Sequence, residues 1–327
     1  METQTHRPWR RWVVLVLLIA GFILGGIFVP VAPEIVVAPE KLSYTPLFTL
    51  PYLGNFYLFN TIPTLIVTLI LLVVIAFFVN RSLKRSEQTD LVPRGIGNVF
   101  ESILEIFYNL TETSAGTKWA KTIFPWFATI LIYVLFANLL KLLPGFESIG
   151  LIKDASHGGG HATVPIGGGW VILTADAGDK VLYPFFRGIS VDLNFTFSLA
   201  LISVFMIQVI GVRALGLGYF SKFFNTRRMF KVPFFGAMDF LVGLLELISE
   251  IAKILSFAFR LFGVMFAGVV LVAIAASLMG GFSIVPAMVL LFELFMGVLQ
   301  AFVFGMLTMV FMAQATQGHG DEHAEGH

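Results

Sequence analysis

Long apolar stretches separated by short polar segments dominate the pattern along the chain. They run over about residues 12–29, 61–79, 123–143, 191–212, 234–278 and 283–313. Each is close to, or longer than, the roughly 20 apolar residues that cross the hydrocarbon core of a bilayer as a helix. The pattern therefore predicts an all-α integral membrane protein with about six membrane helices.

The first apolar stretch, Trp12–Val29, follows an arginine-rich N-terminus. This arrangement occurs both in secretory signals and in membrane anchors. Pro33 and Pro39 crowd the region in which a small-residue cleavage site would lie. We therefore favour a retained anchor at 1–31 over a cleaved signal, and we expect the more polar segment 32–60 to lie outside the cell.

Basic residues cluster after two of the apolar stretches, and these clusters predict the orientation. In short loops an excess of Lys and Arg marks the cytoplasmic side. Both loops should therefore be cytoplasmic, and the polar tail 316–327 should end on the same side. The clusters are Arg81, Lys84, Arg85 and Arg94, and then Arg213, Lys222, Arg227, Arg228 and Lys231.

Two further patterns fill the connections. Within the predicted membrane segment 61–143, apolar residues recur at helical spacing from Gly97 to Thr111 with acidic residues between them. This spacing predicts an interfacial helix. The segment 144–190 is glycine-rich and too polar and too broken to span. We expect it to lie outside as a loop that could include a short hairpin.

The last two apolar stretches predict a helical hairpin joined at Met279-Gly-Gly281. As one helix, residues 234–278 would be roughly 65 Å long, about twice the hydrocarbon thickness. Such a helix must be strongly tilted or lie almost in the membrane plane. It would then present a long side to a large neighbour within the bilayer.

A polar stripe interrupts the first helix of this hairpin. Arg260 lies in the middle of the apolar run, where a cation costs roughly 3 kcal/mol on insertion scales. Glu246 and Lys253 precede it at intervals of seven residues, and Ser249 and Ser256 share that spacing. Each set therefore recurs on one helical face. A charge in this position needs a compensating role.

The second helix of the hairpin carries Glu293 and, seven residues later on the same face, Gln300. One interpretation is that these groups join the helices, with Arg260 paired to a glutamate and Gln300 bonding across the hairpin. We favour an ion path. Arg260 has no acid three or four residues away, and intramembrane carboxylates can exchange protons whereas a guanidinium cannot.

Two motifs on the hairpin are specific. The first is Ser256-Phe-Ala-Phe-Arg260-Leu-Phe-Gly263 followed by Met265-Phe-Ala-Gly268, and the second is Leu299-Gln300-Ala-Phe-Val-Phe-Gly-Met-Leu-Thr308. Weaker motifs are Asn138-Leu-Leu-Lys-Leu-Leu-Pro144-Gly145 and Asp192-Leu-Asn194-Phe-Thr196. Together they resemble subunit a of the rotary F-type ATP synthases, the membrane stator that faces a rotating ring of c subunits.

The resemblance covers roughly residues 40–315 and implies a role for each matched residue. Arg260 would face the c-ring carboxylates, force each to lose its proton and block leakage between two offset half-channels. The tilted hairpin would belong to an ion-path core at 191–315. The resemblance assigns Glu293 and Gln300 to the outer half-channel, Glu246 and Ser249 to the cytoplasmic half-channel, and Asp192 and Asn194 to polar positions facing the outer path.

Two residues depart from the family pattern. Val264 stands where the family commonly has Asn, and Val269 where many members have a carboxylate or histidine. The outer path has therefore lost polar groups. We expect Asp192, Asn194, Glu293 or ordered water to compensate.

The resemblance also implies the setting of the protein. It would be a non-catalytic, proton-translocating subunit of a bacterial-type inner membrane, without a cofactor of its own. Its partners would be the c-subunit ring, the peripheral-stalk b subunits, the catalytic head reached through the stalks and the lipid bilayer, with no nucleic acid. Protons are the default ion, because selection against sodium resides largely in the ring.

Two other classes of protein compete with this interpretation. A secondary transporter could bind an anion at Arg260, but such folds usually show repeated halves, and the sequence shows none. A structural scaffold would leave the arginine unexplained. A metal site at His157-Gly-Gly-Gly-His161 lacks an obvious third ligand, so we interpret these histidines as solvated. The absence of cysteine excludes disulfides and thiolate chemistry.

Overall fold

A computed structural model of the chain consists mainly of long helices. In the part that the structure describes they are α1 Thr61–Thr89, α2 Ile96–Leu140, α3 Leu193–Leu215, α4 Pro233–Met279 and α5 Val285–Thr316. The described residues are 38–43, 45–51, 54–89, 96–143, 146–154, 160–167, 170–223, 233–279 and 285–317.

Each of these five helices is long and apolar enough to cross a membrane. The predicted all-α membrane class is therefore confirmed, and the chain is a multi-pass membrane protein. The predicted first anchor at 12–29 and most of the tail lie outside the described residues. The strong tilt of α4 stays a prediction.

Helix α2 joins two elements that the sequence analysis treated as separate. The predicted interfacial helix and the third span form one helical run that is broken at Gly116. Gly116 has φ 74° and ψ 159°, and a Cβ there would meet nothing within 4 Å. Glycine is required by the positive φ rather than by crowding, because it lacks the Cβ that makes this conformation costly.

The glycine-rich segment 144–190 is more ordered than a loop with a short hairpin. It forms a four-stranded antiparallel sheet in the order β3-β6-β4-β5. A smaller antiparallel pair, β1 with β2, precedes α1. The strands are β1 Phe48–Leu50, β2 Gly54–Phe56, β3 Gly150–Asp154, β4 Gly160–Gly167, β5 Trp170–Gly178 and β6 Lys180–Pro184.

Glycine is needed in this sheet because strands approach closely. A Cβ on Gly150 would lie 2.0 Å from the carbonyl oxygen of Tyr183 on β6. A Cβ on Gly178 would lie 2.4 Å from the carbonyl carbon of His161 on β4. The high glycine content that predicted a loop therefore reflects close packing of backbone against backbone, which is a common reason for glycine in a strand.

The helical core is built mainly from α2, α3, α4 and α5. One buried cluster joins Val134, Ala200, Leu261 and Phe304, one residue from each helix. A second cluster extends the contact between α2, α3 and α5. Helix α1 is peripheral and buries a threonine face instead, which includes Thr64 and Thr68.

The close approach of β4 and β5 can be tested by adding one methyl group. Gly178→Ala should weaken the pairing by roughly 1–3 kcal/mol, because the new carbon meets backbone that cannot move aside. Hydrogen exchange of the strand amides measures the effect. Asp176→Ala, an exposed position on the same strand, is the control and should leave exchange unchanged. Unaltered protection in Gly178→Ala would contradict the tight packing.

Candidate functional site

Two groups of polar residues lie at different levels along α4, and the first is buried whereas the second is partly buried. The first polar cluster consists of Asn138, Lys141, Ser190 and Glu293. The second polar cluster consists of Tyr219, Glu246, Glu250 and Lys253. Arg260 lies between the levels at which these clusters contact α4.

An ion pair forms the centre of the first polar cluster. The Nζ atom of Lys141, the first residue after α2, lies 2.5 Å from the Oε1 atom of Glu293 on α5. Their side chains are only 3% and 6% exposed. The ammonium also lies 3.4 Å from the carbonyl oxygen of Met265 on α4. Three helices therefore meet at this pair, whose opposite charges compensate each other away from water.

Two glycines make room for the pair. A Cβ on Gly268 of α4 would lie 2.9 Å from Oε1 of Glu293. A Cβ on Gly188, just before α3, would lie 3.0 Å from Cδ of Lys141. Both side chains therefore rest against bare backbone.

Asn138 fixes the surrounding elements through its side-chain amide. Its Nδ2 donates a hydrogen bond of 2.9 Å to the carbonyl oxygen of Gly297 on α5. Its Oδ1 accepts a 2.6 Å bond from Oγ of Ser190, which lies in the 3₁₀ turn Ile189–Val191. Asn138 and Ser190 are fully buried, so these bonds satisfy groups that would be costly to leave unpaired.

Asp192 is buried at the start of α3 and acts as its N-cap. Its Oδ1 accepts from the backbone nitrogen of Asn194 at 2.9 Å, and its Oδ2 accepts from Oγ1 of Thr61 at 3.0 Å. A carboxylate is favourable at a helix N-terminus, where backbone N–H groups lack helical partners. The side chain therefore ties α3 to α1, whereas Asn194 is exposed.

The second polar cluster lies near the end of α3. Nζ of Lys253 lies 2.9 Å from Oε1 of Glu250 and 5.0 Å from the ring centroid of Phe311 on α5. Glu250 is buried, whereas Glu246 is partly exposed. These contacts agree with a structural role for Lys253 that links α4 to α5.

Tyr219 belongs to the 3₁₀ segment Gly216–Lys222 that follows α3. Its hydroxyl donates a 2.8 Å hydrogen bond to Oε1 of Gln208. Burial raises the pKa of Tyr219 to about 12, and the nearby carboxylates of Glu250 and Glu246 add to the increase. The ring lies against Gly211, where a Cβ would come within 2.4 Å of it.

Arg260 is exposed on α4 and makes no ion pair with any residue that the structure describes. Its Nη2 donates a 3.3 Å hydrogen bond to Oγ of Ser256 one turn earlier. Gln300 is buried on α5, and its Nε2 has no hydrogen-bond partner among the described residues. Neither contact of the helix-joining interpretation is therefore present in the described part of the chain.

Lys141 and Tyr219 were not predicted as site residues. A signal for Lys141 was present, because it is a lone cation in an apolar stretch and Glu293 is a lone acid in another. Tyr219 follows the predicted end of a membrane helix, and nothing in the local pattern distinguishes it from an interfacial tyrosine. No group of three possible metal ligands occurs among the described residues, and His157 lies outside them.

Comparison with known proteins identifies the family of this chain. Residues 63–313 match the family model described as ATP synthase A chain. The chain belongs to the ATP synthase A chain family. The matched range includes every site residue predicted from the sequence and both polar clusters.

Individual relatives agree with this family. ATP synthase subunit a of Helicobacter pylori strain P12 is 31% identical over 258 residues, which cover 76% of this chain and 89% of the relative. The subunit a of Moorella thermoacetica is 28% identical over 269 residues, covering 82% and 95% of the two chains. That of Desulforamulus reducens is 30% identical over 233 residues, or 68% of each chain.

The environment of Tyr219 in this member of the ATP synthase A chain family predicts a pH effect on stability. The pKa of Tyr219 rises from about 10 in the unfolded chain to about 12 in the folded protein. The contribution of the neutral phenol to the free energy of unfolding is therefore fully present below about pH 10 and is lost as the pH rises towards about 12. Tyr219→Phe should remove this loss. It should also cost about 1 kcal/mol at neutral pH, because the bond to Gln208 is absent.

Thermal unfolding of the purified protein at neutral and alkaline pH, together with the tyrosinate absorbance, measures both effects. Tyr108→Phe, at a partly exposed position on α2, is the control for removing one hydroxyl. If native protein and Tyr219→Phe lose stability equally between these pH values, the assigned environment of Tyr219 is wrong.

Proposed function

We propose that this chain is the stator subunit that conducts protons to and from a rotating c-ring through two offset half-channels. The observation that carries the proposal is the position of Arg260 between the two polar clusters, where it is exposed and has no ion-pair partner among the described residues. Family membership favours this function over the secondary-transporter and scaffold interpretations.

The spacing along α4 supports two half-channels rather than one continuous path. Glu250 of the second polar cluster lies ten residues before Arg260, or roughly 15 Å along a helix. Met265, which contacts Lys141 of the first polar cluster, lies five residues after it, or roughly 8 Å. A proton that moved directly between the clusters would have to pass a fixed positive charge.

The surface around Arg260 supports contact with a ring of helices. Ser249, Ser256 and Gly263 are exposed on the same side of α4. Small residues allow the backbones of membrane helices to approach closely. Large exposed apolar residues of α4 and α5, such as Phe259 and Phe295, extend this surface. A ring carboxylate would supply the negative partner that Arg260 lacks within the described chain.

The proposed cycle transfers protons without covalent chemistry. A proton enters from outside near Glu293, passes to a ring carboxylate and travels with the ring through lipid. When that carboxylate returns to Arg260, the guanidinium favours its ionised form, so the proton is released near Glu246. Each charge that crosses 100 mV releases about 2.3 kcal/mol, so several protons are needed for each ATP synthesised by the catalytic head.

The remaining predicted residues fit into this scheme with unequal roles. Gln300 and Ser249 line the outer and cytoplasmic half-channels respectively, and Asn194 lies at the outer end. Asp192 positions α3 through its cap. Val264 and Val269 pack against the apolar core, so the first polar cluster carries the polar function of the outer path.

The same scheme specifies partners and orientation. The strongly tilted α4–α5 hairpin faces the c-ring, and peripheral-stalk b subunits hold the chain against the catalytic head. The protein lies in a bacterial-type inner membrane with its C-terminus in the cytoplasm. The first polar cluster and the sheet then face outside.

Arg260→Ala tests the proposed function in vesicles that carry the whole complex. The variant should assemble but lose ATP-driven proton pumping, because nothing then forces the ring carboxylates to release their protons. Passive proton leak should persist or rise, because the charge between the half-channels is gone. Pumping and leak are measured with a pH-sensitive dye, and assembly by the amount of complex recovered.

Arg213→Ala is the matched control, because Arg213 is an exposed arginine in the last turn of α3. It should pump like the native complex. Unchanged pumping in assembled Arg260→Ala would overturn the proposed function.

A further inference from the structure

The role of Lys141 is not explained by the proposed path, although its charged side chain is only 3% exposed. We propose that Lys141 is a positioning residue of the outer half-channel. It holds the carboxylate of Glu293 in place, so that the incoming proton binds to a carboxylate that is paired with an ammonium. This inference rests on the proposed function and adds a residue to it.

The geometry shows a site built around both charges. The 2.5 Å contact joins the residue that follows α2 to α5, and the ammonium also lies 3.4 Å from the carbonyl oxygen of Met265 on α4. Gly188 and Gly268 each lie where a methyl group would strike one member of the pair. The missing side chain of Gly188 thus leaves room for Lys141, and that of Gly268 leaves room for Glu293.

The groups that surround Glu293 leave Lys141 as its charged partner. From α4 the neighbours are the carbonyl of Met265 and the backbone of Gly268, neither of which titrates. From α2, Asn138 is neutral and bonded to Gly297 and Ser190. Among the described contacts, the charge state of Glu293 is therefore coupled to one ammonium group.

The ion pair favours transfer of the proton from Glu293 to the ring. A proton from water on the outside binds to a carboxylate oxygen of Glu293, and the contact with Lys141 breaks while the ammonium keeps its three protons. The net charge of the pair rises from zero to one. An unpaired ammonium in apolar surroundings is unfavourable, so re-forming the ion pair favours passage of the proton to a ring carboxylate.

A purely structural ion pair would behave differently. Buried ion pairs can often be replaced by uncharged residues of similar volume without loss of stability, whereas removing one partner is harmful. A structural pair would therefore regain pumping when both charges are removed together. A pair in the proton path would regain assembly but not pumping.

The experiment compares Lys141→Met, Lys141→Arg and the double variant Lys141→Met with Glu293→Gln. Each is made in the whole ATP synthase complex in vesicles. Lys141→Met should reduce pumping by about tenfold or more, and Lys141→Arg should restore part of it because the charge is kept. The double variant should assemble like the native complex yet pump no better than Lys141→Met.

A second readout separates positioning from simple structural support. Without the ammonium, Glu293 should bind protons more readily and release them more slowly. In Lys141→Met, ATP synthesis should therefore reach half its maximum at a higher outside pH, with a lower maximum. The matched control is Lys180→Met, which removes the lysine of an ion pair with Asp154 in the outer sheet and should alter neither readout.

The outcomes separate this inference from the proposed function. Native pumping in Lys141→Met, or in the double variant, overturns the inference. If Lys141→Met fails to assemble, the result for Lys141→Arg is used instead. A Lys141→Arg complex that assembles but does not pump also overturns the inference. Arg260→Ala is measured in the same vesicles. Unchanged pumping in Arg260→Ala overturns the stator function. Loss of pumping in Arg260→Ala together with native pumping in Lys141→Met overturns only the positioning role of Lys141.

Discussion

The cost of placing charge in an apolar environment governs the arrangement of this protein. Within the described chain, Lys141 pairs with Glu293 and Lys253 with Glu250, so each of these two lysines has a carboxylate within 3 Å. Arg260 has no such partner there. Because its cation cannot be neutralised by loss of a proton, the proposed function assigns its compensation to a carboxylate of the ring. In that proposal the surface around Arg260 is the contact with the ring.

The internal pairs also explain how the helices around that surface are held. Lys141, which follows α2, is paired with Glu293 on α5. Asn138 links α2 to α5 and to the 3₁₀ turn before α3. Asp192 links α3 to α1. Hydrophobic burial distinguishes poorly between sites within a membrane, because lipid is as apolar as the protein core. Polar contacts that must be satisfied locally are therefore well suited to fixing the relative positions of these helices.

The helices of this fold could be predicted from sequence, because a bilayer requires long apolar segments. Their orientation, predicted from the basic loops, stays a prediction. The sheet could not be predicted, since glycine supports both flexible loops and strands that pack backbone to backbone. At Gly150 and Gly178 only the position of the neighbouring strand decides between these roles. The break at Gly116 was hidden for a similar reason, because one positive φ leaves no periodic signal.

Local spacing and a motif single out Arg260 as a candidate site residue, and its role stays a prediction, whereas a contact between residues far apart in the sequence leaves no local pattern. Lys141 and Glu293 are 152 positions apart, so no local pattern pairs them. Their contact changes the meaning of two departures from the family pattern. Val264 and Val269 pack against the core, and the buried charges at this level of α4 are Lys141 at the end of α2 and Glu293 on α5. In the proposed function the outer path therefore keeps polar groups, although these groups belong to other helices.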